Sequence, residues 1–463
     1  MQHRDNSLDA LRGLAILAMV LSSSIAFGIL PAWMYHAQEP PPAHIFIPDL
    51  PGITWVDLVF PFFLFTMGAA IPLALSRKVK EGANFGDVLS VACRRYLLLV
   101  FFALFTMHAR SIVPAGNPSP FMYLLQPAAF ILLCFQLYKP ARQTKLWTAV
   151  KLLSFALAGV LLYLLPFKDG KGFSLYRFDI IMMVLANMAF AGTLAWWCTR
   201  NNPWLRIGLL PFVMAVLLGA GVPGSINEAV FQWSPFPWMY KFYYLKYLFI
   251  IIPGTLAGGW LLQDNAVRPP AENAAPSRTG MLAVLSFAVI VTNVVCLFAR
   301  HLLVNLVITT ILCLLLYYFS GRFLHAAKPL LLRFFKAGVY LLLLGLFFEA
   351  YEGGIKKDPS TFSYYLVTGG LAFFMLMTFY YWQLSGAGAG ILRYLSMNGR
   401  NPMVAYVAGN LLLLPLLRLS GGMNLYTAMQ QNIAGGFLSG VLFTGIVSLI
   451  TVFFTKRGWL WKT

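Results

Sequence analysis

The sequence predicts an all-α polytopic membrane protein, a bundle of about 14 transmembrane helices (12–14). Hydrophobic residues make up 59% of the 463 residues and charged residues only 11%. Apolar runs of about 18 residues or more, long enough to cross a bilayer as helices, recur from one end of the chain to the other. No stretch is long and polar enough to form a separate water-soluble domain, so residues 1–463 are expected to form one integral membrane domain.

Each predicted span is an apolar run bounded by polar or turn-forming residues. The runs lie, in chain order, at 8–29, 53–75, 92–110, 121–138, 147–166, 179–198, 205–222, 243–262, 280–299, 301–319, 333–349, 364–382, 402–418 and 433–455. The weakest of these predictions are 205–222 and 301–319.

The distribution of positive charge predicts the orientation. With a cytoplasmic N-terminus, the cytoplasmic loops hold 24 Lys and Arg residues and the outer loops hold 10. This asymmetry follows the positive-inside rule and places both termini in the cytoplasm. It also accounts for the net charge of +19 without nucleic acid as a partner. The bilayer is the expected partner, and the inner membrane is the expected location if the chain is bacterial.

The cysteines predict neither a disulfide nor a metal site. All of them fall in or beside apolar helical runs and none forms a CxxC pair, so they are interpreted as packing residues. They are Cys93, Cys134, Cys198, Cys296 and Cys313. The chain also lacks the GxGxxG, GxxxxGK[ST], GxSxG and HExxH motifs, which excludes the common nucleotide-binding, serine hydrolase and zinc protease signatures.

The first span begins with SLDALRG at residues 7–13. Ser7 can cap the helix, and Asp9 in its first turn suits the helix dipole. Arg12 lies three residues after Asp9, on the same face of the helix. On these residues alone, a capped helix start with a basic membrane anchor is the simpler interpretation, and a functional pair is the alternative.

The first outer loop contains WMYHAQEPPPAH at residues 33–44, and the second span follows with Asp57 about one turn inside it. A carboxylate at that depth has to be paired, hydrated or protonated. Asp57 could orient His36 and leave one ring nitrogen free as a base. His44 is the competing histidine in the same loop. The alternative is that Asp57 only caps or pins helices, while Pro61 kinks the span and frees a carbonyl.

Cationic residues cluster on the predicted cytoplasmic side. They are Arg77, Lys78, Lys80, Arg94 and Arg95. Most of this cluster is interpreted as a topology signal in contact with lipid headgroups. The adjacent Arg94 and Arg95 could instead bind a phosphorylated ligand, because guanidinium groups match phosphate oxygens.

A second polar group crowds the start of an apolar helix at LSMNGRNPMVAY, residues 395–406. Asn398, Arg400 and Asn401 precede Pro402, which is suited to the first turn of a helix. Polar groups at this position can cap the helix or bind an anion, and capping is the default interpretation.

These segments, in this order, resemble the heparan-α-glucosaminide N-acetyltransferase family of transmembrane acyltransferases. The resemblance is carried by SLDALRGLAI, then a histidine loop with YHA at 35–37, then WVDLVFPFFLFTMG with VDLVFP at 56–61. Weaker similarities are LLQ at 124–126, GTLAG at 254–258, FSYYLV at 362–367, RNPMVAYV at 400–407 and the ending GWLWK. Compared with that family, the regions near 179–222 and 281–319 are identified as additional helical hairpins.

The resemblance implies a membrane acyltransferase that takes an acetyl group from cytoplasmic acetyl-CoA and transfers it to an amino sugar or glycan on the outer side. The catalytic histidine of the family corresponds to His36, with Asp57 as its partner. Arg12, Arg94 and Arg95 are the first candidates for the phosphates of CoA, and Arg400 and Asn401 are weaker candidates. Direct transfer and an acyl-histidine intermediate both remain open.

Three further residues are candidates for acceptor binding: Ser23, His44 and Trp238. Ser23 lies eleven residues after Arg12, on the same face of the helix, where the animal enzyme has asparagine, so the acceptor or the activity could differ. Trp238 lies in the aromatic loop FQWSPFPWMYKFYYLKY, residues 231–247, which could stack on a sugar or form an interfacial belt.

Two other functions remain open on the residues alone. A sugar or glycan transporter is compatible with many helices, buried polar residues and proline-broken spans, although no inverted repeat is visible. A non-catalytic scaffold is the other, and the oligomeric state and the acceptor are left open.

Overall fold

A computed structural model describes residues 6–110, 120–140, 142, 144–164, 172–267, 276–323 and 328–462. The described chain is 78% helical and contains no strand. Within it, 12 helices are long and apolar enough to cross a membrane, and Met122–Leu137 and Pro203–Gly219 are shorter apolar helices. The predicted all-α polytopic bundle is therefore confirmed.

The helices follow the predicted spans closely. The first nine are α1 (Asn6–Ser24), α2 (Trp55–Lys80), α3 (Phe85–Arg110), α4 (Pro120–Leu137), α5 (Lys145–Leu164), α6 (Ile180–Cys198), α7 (Pro203–Gly219), α8 (Ile226–Gln232) and α9 (Leu248–Val267). The others are α10 (Pro276–Phe298), α11 (Leu302–Phe323), α12 (Lys328–Tyr351), α13 (Phe362–Ser385), α14 (Ala389–Gly399), α15 (Pro402–Ala408), α16 (Leu414–Leu419), α17 (Gly422–Met429) and α18 (Ile433–Lys456). A π-helical turn, Gly409–Leu413, joins α15 to α16 within one span.

Helix α13 forms the centre of the bundle. Nearly all of its residues are buried, and α1, α2, α9, α10 and α12 pack around it. A helix that is apolar on every side is expected in such a position, because none of its faces reaches water. Helix α13 begins at Phe362, directly after the loop that contributes to the candidate site.

The two additional helical hairpins predicted near 179–222 and 281–319 differ in how they are buried. Helix α6 packs against α3, α2 and α9, so it belongs to the interior, whereas α7 is largely exposed. In the α10–α11 hairpin, the Asn293 amide donates to the Thr309 hydroxyl at 2.9 Å, and the Asn305 amide donates to the Asn293 oxygen at 3.0 Å. This buried polar network holds the hairpin together.

Helices α1 and α14 approach closely enough for their backbones to touch. Gly13 lies against the Leu395 carbonyl and Gly399 lies against the Asp9 carbonyl, so neither position has room for a side chain. Small residues allow this approach in membrane helices, where backbone packing replaces the hydrophobic effect. The contact fixes the end of α1 that carries Arg12.

We expect Gly399→Ala to lower the stability of the fold, because the new methyl group would overlap the backbone of α1. The cost of such overpacking is about 1–3 kcal/mol. Gly390→Ala in the same helix is the control, since nothing lies within 4 Å of the added carbon. Thermal unfolding in detergent should show a lower midpoint for Gly399→Ala only. Equal midpoints would contradict the close contact between α1 and α14.

Candidate functional site

The predicted first outer loop, residues 25–54, is held by its own small core. Ile25, Leu30, Met34 and Tyr35 are buried together. The Tyr35 hydroxyl donates to the Ala26 carbonyl at 2.6 Å and accepts the Leu30 N–H at 3.0 Å. The loop therefore has a defined path through Tyr35, and His36 follows directly after this anchored residue.

Asp57 has a structural role at the start of α2. Thr54 is the N-cap of this helix, and Asp57 reaches back so that its Oδ2 accepts the Thr54 N–H at 2.9 Å, which completes a capping box. The same oxygen accepts the Ala37 N–H at 3.2 Å. The capping role considered from the sequence is therefore present, and it holds the carboxylate rigidly at the end of α2.

The second carboxylate oxygen of Asp57 faces His36. His36 Nδ1 and Asp57 Oδ1 are 2.7 Å apart, and Asp57 is almost fully buried, whereas the His36 side chain is 34% exposed. A carboxylate oxygen can only accept, so this contact favours the tautomer with the proton on Nδ1. The lone pair of His36 then lies on Nε2. Capping and histidine orientation are thus two uses of one side chain.

Pro61 supplies a further support for this end of α2. Proline has no N–H, so the Asp57 carbonyl four residues earlier loses its helical donor. The Tyr364 hydroxyl, at the start of α13, donates to that carbonyl at 2.7 Å. The free carbonyl expected from the sequence is present, and it ties α2 to the central helix beside the candidate site.

Lys357 is a member of the site that sequence reasoning missed. Its Nζ lies 2.9 Å from His36 Nδ1, 3.1 Å from His36 Nε2 and 3.8 Å from Asp57 Oδ1. The lone-pair directions of the two ring nitrogens diverge, so the ammonium lies against the ring rather than along one hydrogen bond. Burial lowers the pKa of Lys357, although the carboxylates of Asp57, Glu39 and Asp358 act in the opposite direction.

The loop that carries Lys357 is attached to the His36 loop through Gln38. The Gln38 amide donates to the carbonyls of Pro48 and Asp358, and its oxygen accepts the N–H groups of Lys357 and Asp358. On the other side, Glu352 accepts the N–H groups of Phe362 and Ser363 and so caps α13. These bonds fix Lys357 relative to His36 although 321 residues separate them.

A second charged group, formed by residues of α1 and α3, lies beside the middle of α2. Arg12 donates to the carbonyl and the hydroxyl of Thr66, at 3.0 and 3.3 Å, and lies 3.6 Å from Asp9. Arg95 on α3 is close enough to interact electrostatically with Arg12. Among the described residues Arg95 has no carboxylate or hydrogen-bond partner, although it is partly buried. Two neighbouring guanidinium groups of this kind form a candidate anion site.

The other candidates for donor binding lie apart from this pair. Arg94 is exposed and interacts electrostatically with Lys151 of α5. Asn401 is buried, its amide donates to the Trp459 carbonyl, and its oxygen accepts the Trp461 N–H. The amide of Asn401 therefore holds the C-terminal segment. Arg400 is exposed and lines a separate cavity beside α14.

The acceptor candidates are also dispersed. Ser23 is exposed and donates to the Val20 carbonyl of its own helix. His44 stacks on Phe27 and lies edge-on to Tyr35, so it belongs to the loop core rather than to the Asp57 pair. Trp238 is partly buried against the main core. After Trp238, the Met239 carbonyl accepts from Tyr96 and Asn187, which ties this part of the aromatic loop to α3 and α6.

Across the described part of the chain, no group of three or more His, Cys, Asp or Glu side chains could hold a metal ion. The five cysteines are free thiols in the described structure.

Comparison with known families identifies one domain. The profile of DUF5009, a domain of unknown function, matches residues 4–261, which is more than half of the chain. The matched segment contains Arg12, His36, Asp57 and Arg95, whereas Lys357 and Arg400 lie beyond it. No curated protein matches the sequence.

Proposed function

The chain belongs to the family of the domain of unknown function DUF5009, and from the residues of its outer site we propose that it is an integral membrane acyltransferase. The proposed donor is cytoplasmic acetyl-CoA or another acyl-CoA, and the proposed acceptor is a sugar or glycan on the outer side. The observation that carries the proposal is the pair of His36 and a buried Asp57 at 2.7 Å, which orients the ring and leaves its lone pair on Nε2, with Lys357 Nζ 3.1 Å from that nitrogen.

The chemistry of acyl transfer needs a base of this kind. An amine or hydroxyl acceptor attacks the carbonyl carbon of the thioester, and a bond forms between that carbon and the acceptor atom. As the carbon–sulfur bond breaks, His36 Nε2 takes the proton of the acceptor and passes it to the departing thiolate. Asp57 holds the ring and stabilises the imidazolium that forms, as buried carboxylates do for catalytic histidines.

The spacing between the two charged groups suits an acyl-CoA donor. Arg12 contacts α2 at Thr66, nine residues after Asp57. At 1.5 Å per residue this corresponds to about 13 Å along the helix. Phosphates held by Arg12 and Arg95 would then be separated from His36 by a distance that an extended pantetheine arm can span. In this arrangement the donor phosphates would lie near the middle of α2, and the base would lie at its start.

Arg95→Gln is expected to weaken binding of acetyl-CoA by about 10- to 100-fold, because a charge-assisted bond to phosphate contributes about 1.5–3 kcal/mol. Arg94→Gln is the matched control, since Arg94 adjoins Arg95 in the sequence but is exposed and interacts electrostatically with Lys151 rather than with Arg12. Calorimetric titration of the purified protein measures both. Equal affinities for the two variants would contradict the assignment of Arg95, and absence of binding to the wild type would contradict the proposed donor.

Lys357 would supply positive charge where the carbonyl oxygen becomes negative during transfer. Because burial lowers its pKa, this ammonium loses its proton at a lower pH than an ordinary lysine. We therefore expect wild-type activity to fall on the alkaline side, Lys357→Arg to keep its activity to higher pH, and Lys357→Met to lose at least 10-fold at neutral pH. Identical pH profiles for wild type and Lys357→Arg would contradict this role.

A further inference from the structure

A cavity of about 580 Å³ lies beside α14, at the predicted cytoplasmic end of the bundle. It is bounded by the start of α1, the ends of α13 and α18, and one side of α14. The charged residues in its lining are Arg393, Arg400 and Lys456, and no carboxylate is present among the described lining residues. Trp382 and Gln383 form part of the wall. The cavity is therefore strongly cationic.

The three cations have no partner within the described protein. Arg393, Arg400 and Lys456 make neither a hydrogen bond nor an ion pair with any residue that the structure describes. Other exposed cations, such as Lys80 and Lys145, also lack a partner among the described residues, but Arg393, Arg400 and Lys456 differ from them in lining one cavity together. Three unpaired cations around one cavity indicate an anionic ligand, since an anion with several oxygens can contact all of them.

An exposed apolar stripe on α18 leads to this cavity. Leu442, Ile446, Leu449 and Phe453 are 51%, 43%, 61% and 48% exposed. Their spacing of three or four residues places them on one face of the helix, and Lys456 continues the same face one turn later. A face of this kind on a membrane-spanning helix contacts acyl chains. The cationic cavity therefore lies at the cytoplasmic end of a surface suited to lipid.

We propose that this cavity binds the headgroup phosphate of an anionic phospholipid from the cytoplasmic leaflet, with its acyl chains along the α18 stripe. Basic pockets between transmembrane helices on the cytoplasmic side are suited to such headgroups. A soluble phosphate compound shares the phosphate chemistry but would not use the stripe. The proposal rests on the predicted orientation and not on the acyltransferase activity.

The test uses purified, delipidated protein and native mass spectrometry. The probes are dihexanoylphosphatidylglycerol, which is anionic, and dihexanoylphosphatidylcholine, which is not. We expect the wild type to bind the anionic lipid at least 10-fold more tightly, and the triple variant R393Q/R400Q/K456Q to lose affinity for it on the order of 100-fold. The matched control K78Q/K80Q/K145Q removes three exposed cations elsewhere on the predicted cytoplasmic side and is expected to bind like the wild type.

Two outcomes would overturn the proposal. Equal binding of the two lipids by the wild type would do so, and this comparison needs no variant that could fold poorly. Tight binding of adenosine 3′,5′-bisphosphate that the triple variant loses, without selective binding of the anionic lipid, would assign the cavity to a soluble phosphate compound. Acyl transfer is not measured in this experiment, so its result stays separate from that of the proposed function.

Discussion

Replacing His36 with alanine is expected to reduce acyl transfer by about 10²- to 10⁴-fold, the usual contribution of a positioned general base. Because the variant leaves Oδ1 of the buried Asp57 without its imidazole partner, its unfolding midpoint is measured alongside its activity. Binding of the acyl-CoA donor should remain, because the proposed donor phosphates lie about 13 Å away along α2. The measurement is the rate of acyl transfer by purified protein together with the affinity for the donor.

His44→Ala is the matched control for this variant. His44 lies in the same loop but packs against Phe27 and Tyr35 without contacting Asp57. It should keep most of the transfer activity even if the loop loses some stability. Comparable activity of His36→Ala and the wild type, or a larger loss in His44→Ala, would remove His36 from the proposed reaction.

Asp57→Asn should also lose activity, and the structure gives the reason. The Oδ2 of Asp57 accepts two backbone N–H groups, so the amide oxygen of asparagine would occupy that position. Its NH₂ group would then face His36 Nδ1 and donate to it, which forces the proton of the ring onto Nε2. His36 Nε2 would then carry a proton and could not accept one from the acceptor. In serine proteases, the equivalent change costs about 10⁴-fold in rate.

The control for Asp57→Asn is Asp49→Asn, an exposed carboxylate in the same outer loop. Both variants remove one negative charge from the outer side, but only Asp57 contacts His36. Transfer rates should fall for Asp57→Asn alone, with the affinity for the donor unchanged. A wild-type rate for Asp57→Asn in a well-folded sample would show that His36 does not depend on this carboxylate.

The fold could be predicted from the sequence because a long apolar run in a bilayer can satisfy its backbone hydrogen bonds within the segment only as a helix. The helix bounds of α2 and α13 agree with the runs at 53–75 and 364–382. The contact between His36 and Asp57 could also be predicted, because a histidine in the loop before α2 and a carboxylate in the first turn of α2 lie at the same end of that helix. The structure adds that Asp57 caps α2 as well, so the contact with His36 and the capping contact, which the sequence left as alternatives, are both present.

Contacts between distant segments could not be predicted in the same way. Lys357 reaches His36 only because Gln38 and Glu352 fix a loop between α12 and α13. One signal was available: Lys356 and Lys357 are adjacent on the predicted outer side, where positive residues are otherwise scarce. The different surroundings of Arg94 and Arg95 could not be predicted either. Arg94 is exposed and Arg95 is partly buried, because neighbouring positions on a helix face different directions.

Vectorial transfer in proteoliposomes tests the central claim most directly. Labelled acetyl-CoA is added outside vesicles that are loaded with a panel of amino sugars and neutral sugars, with His36→Ala vesicles as the control. We predict labelled acyl-sugar inside wild-type vesicles only, because the donor would bind on one side and His36 would act on the other. Release of the loaded sugar in unmodified form, without any acylated product, would contradict the account and favour a transporter.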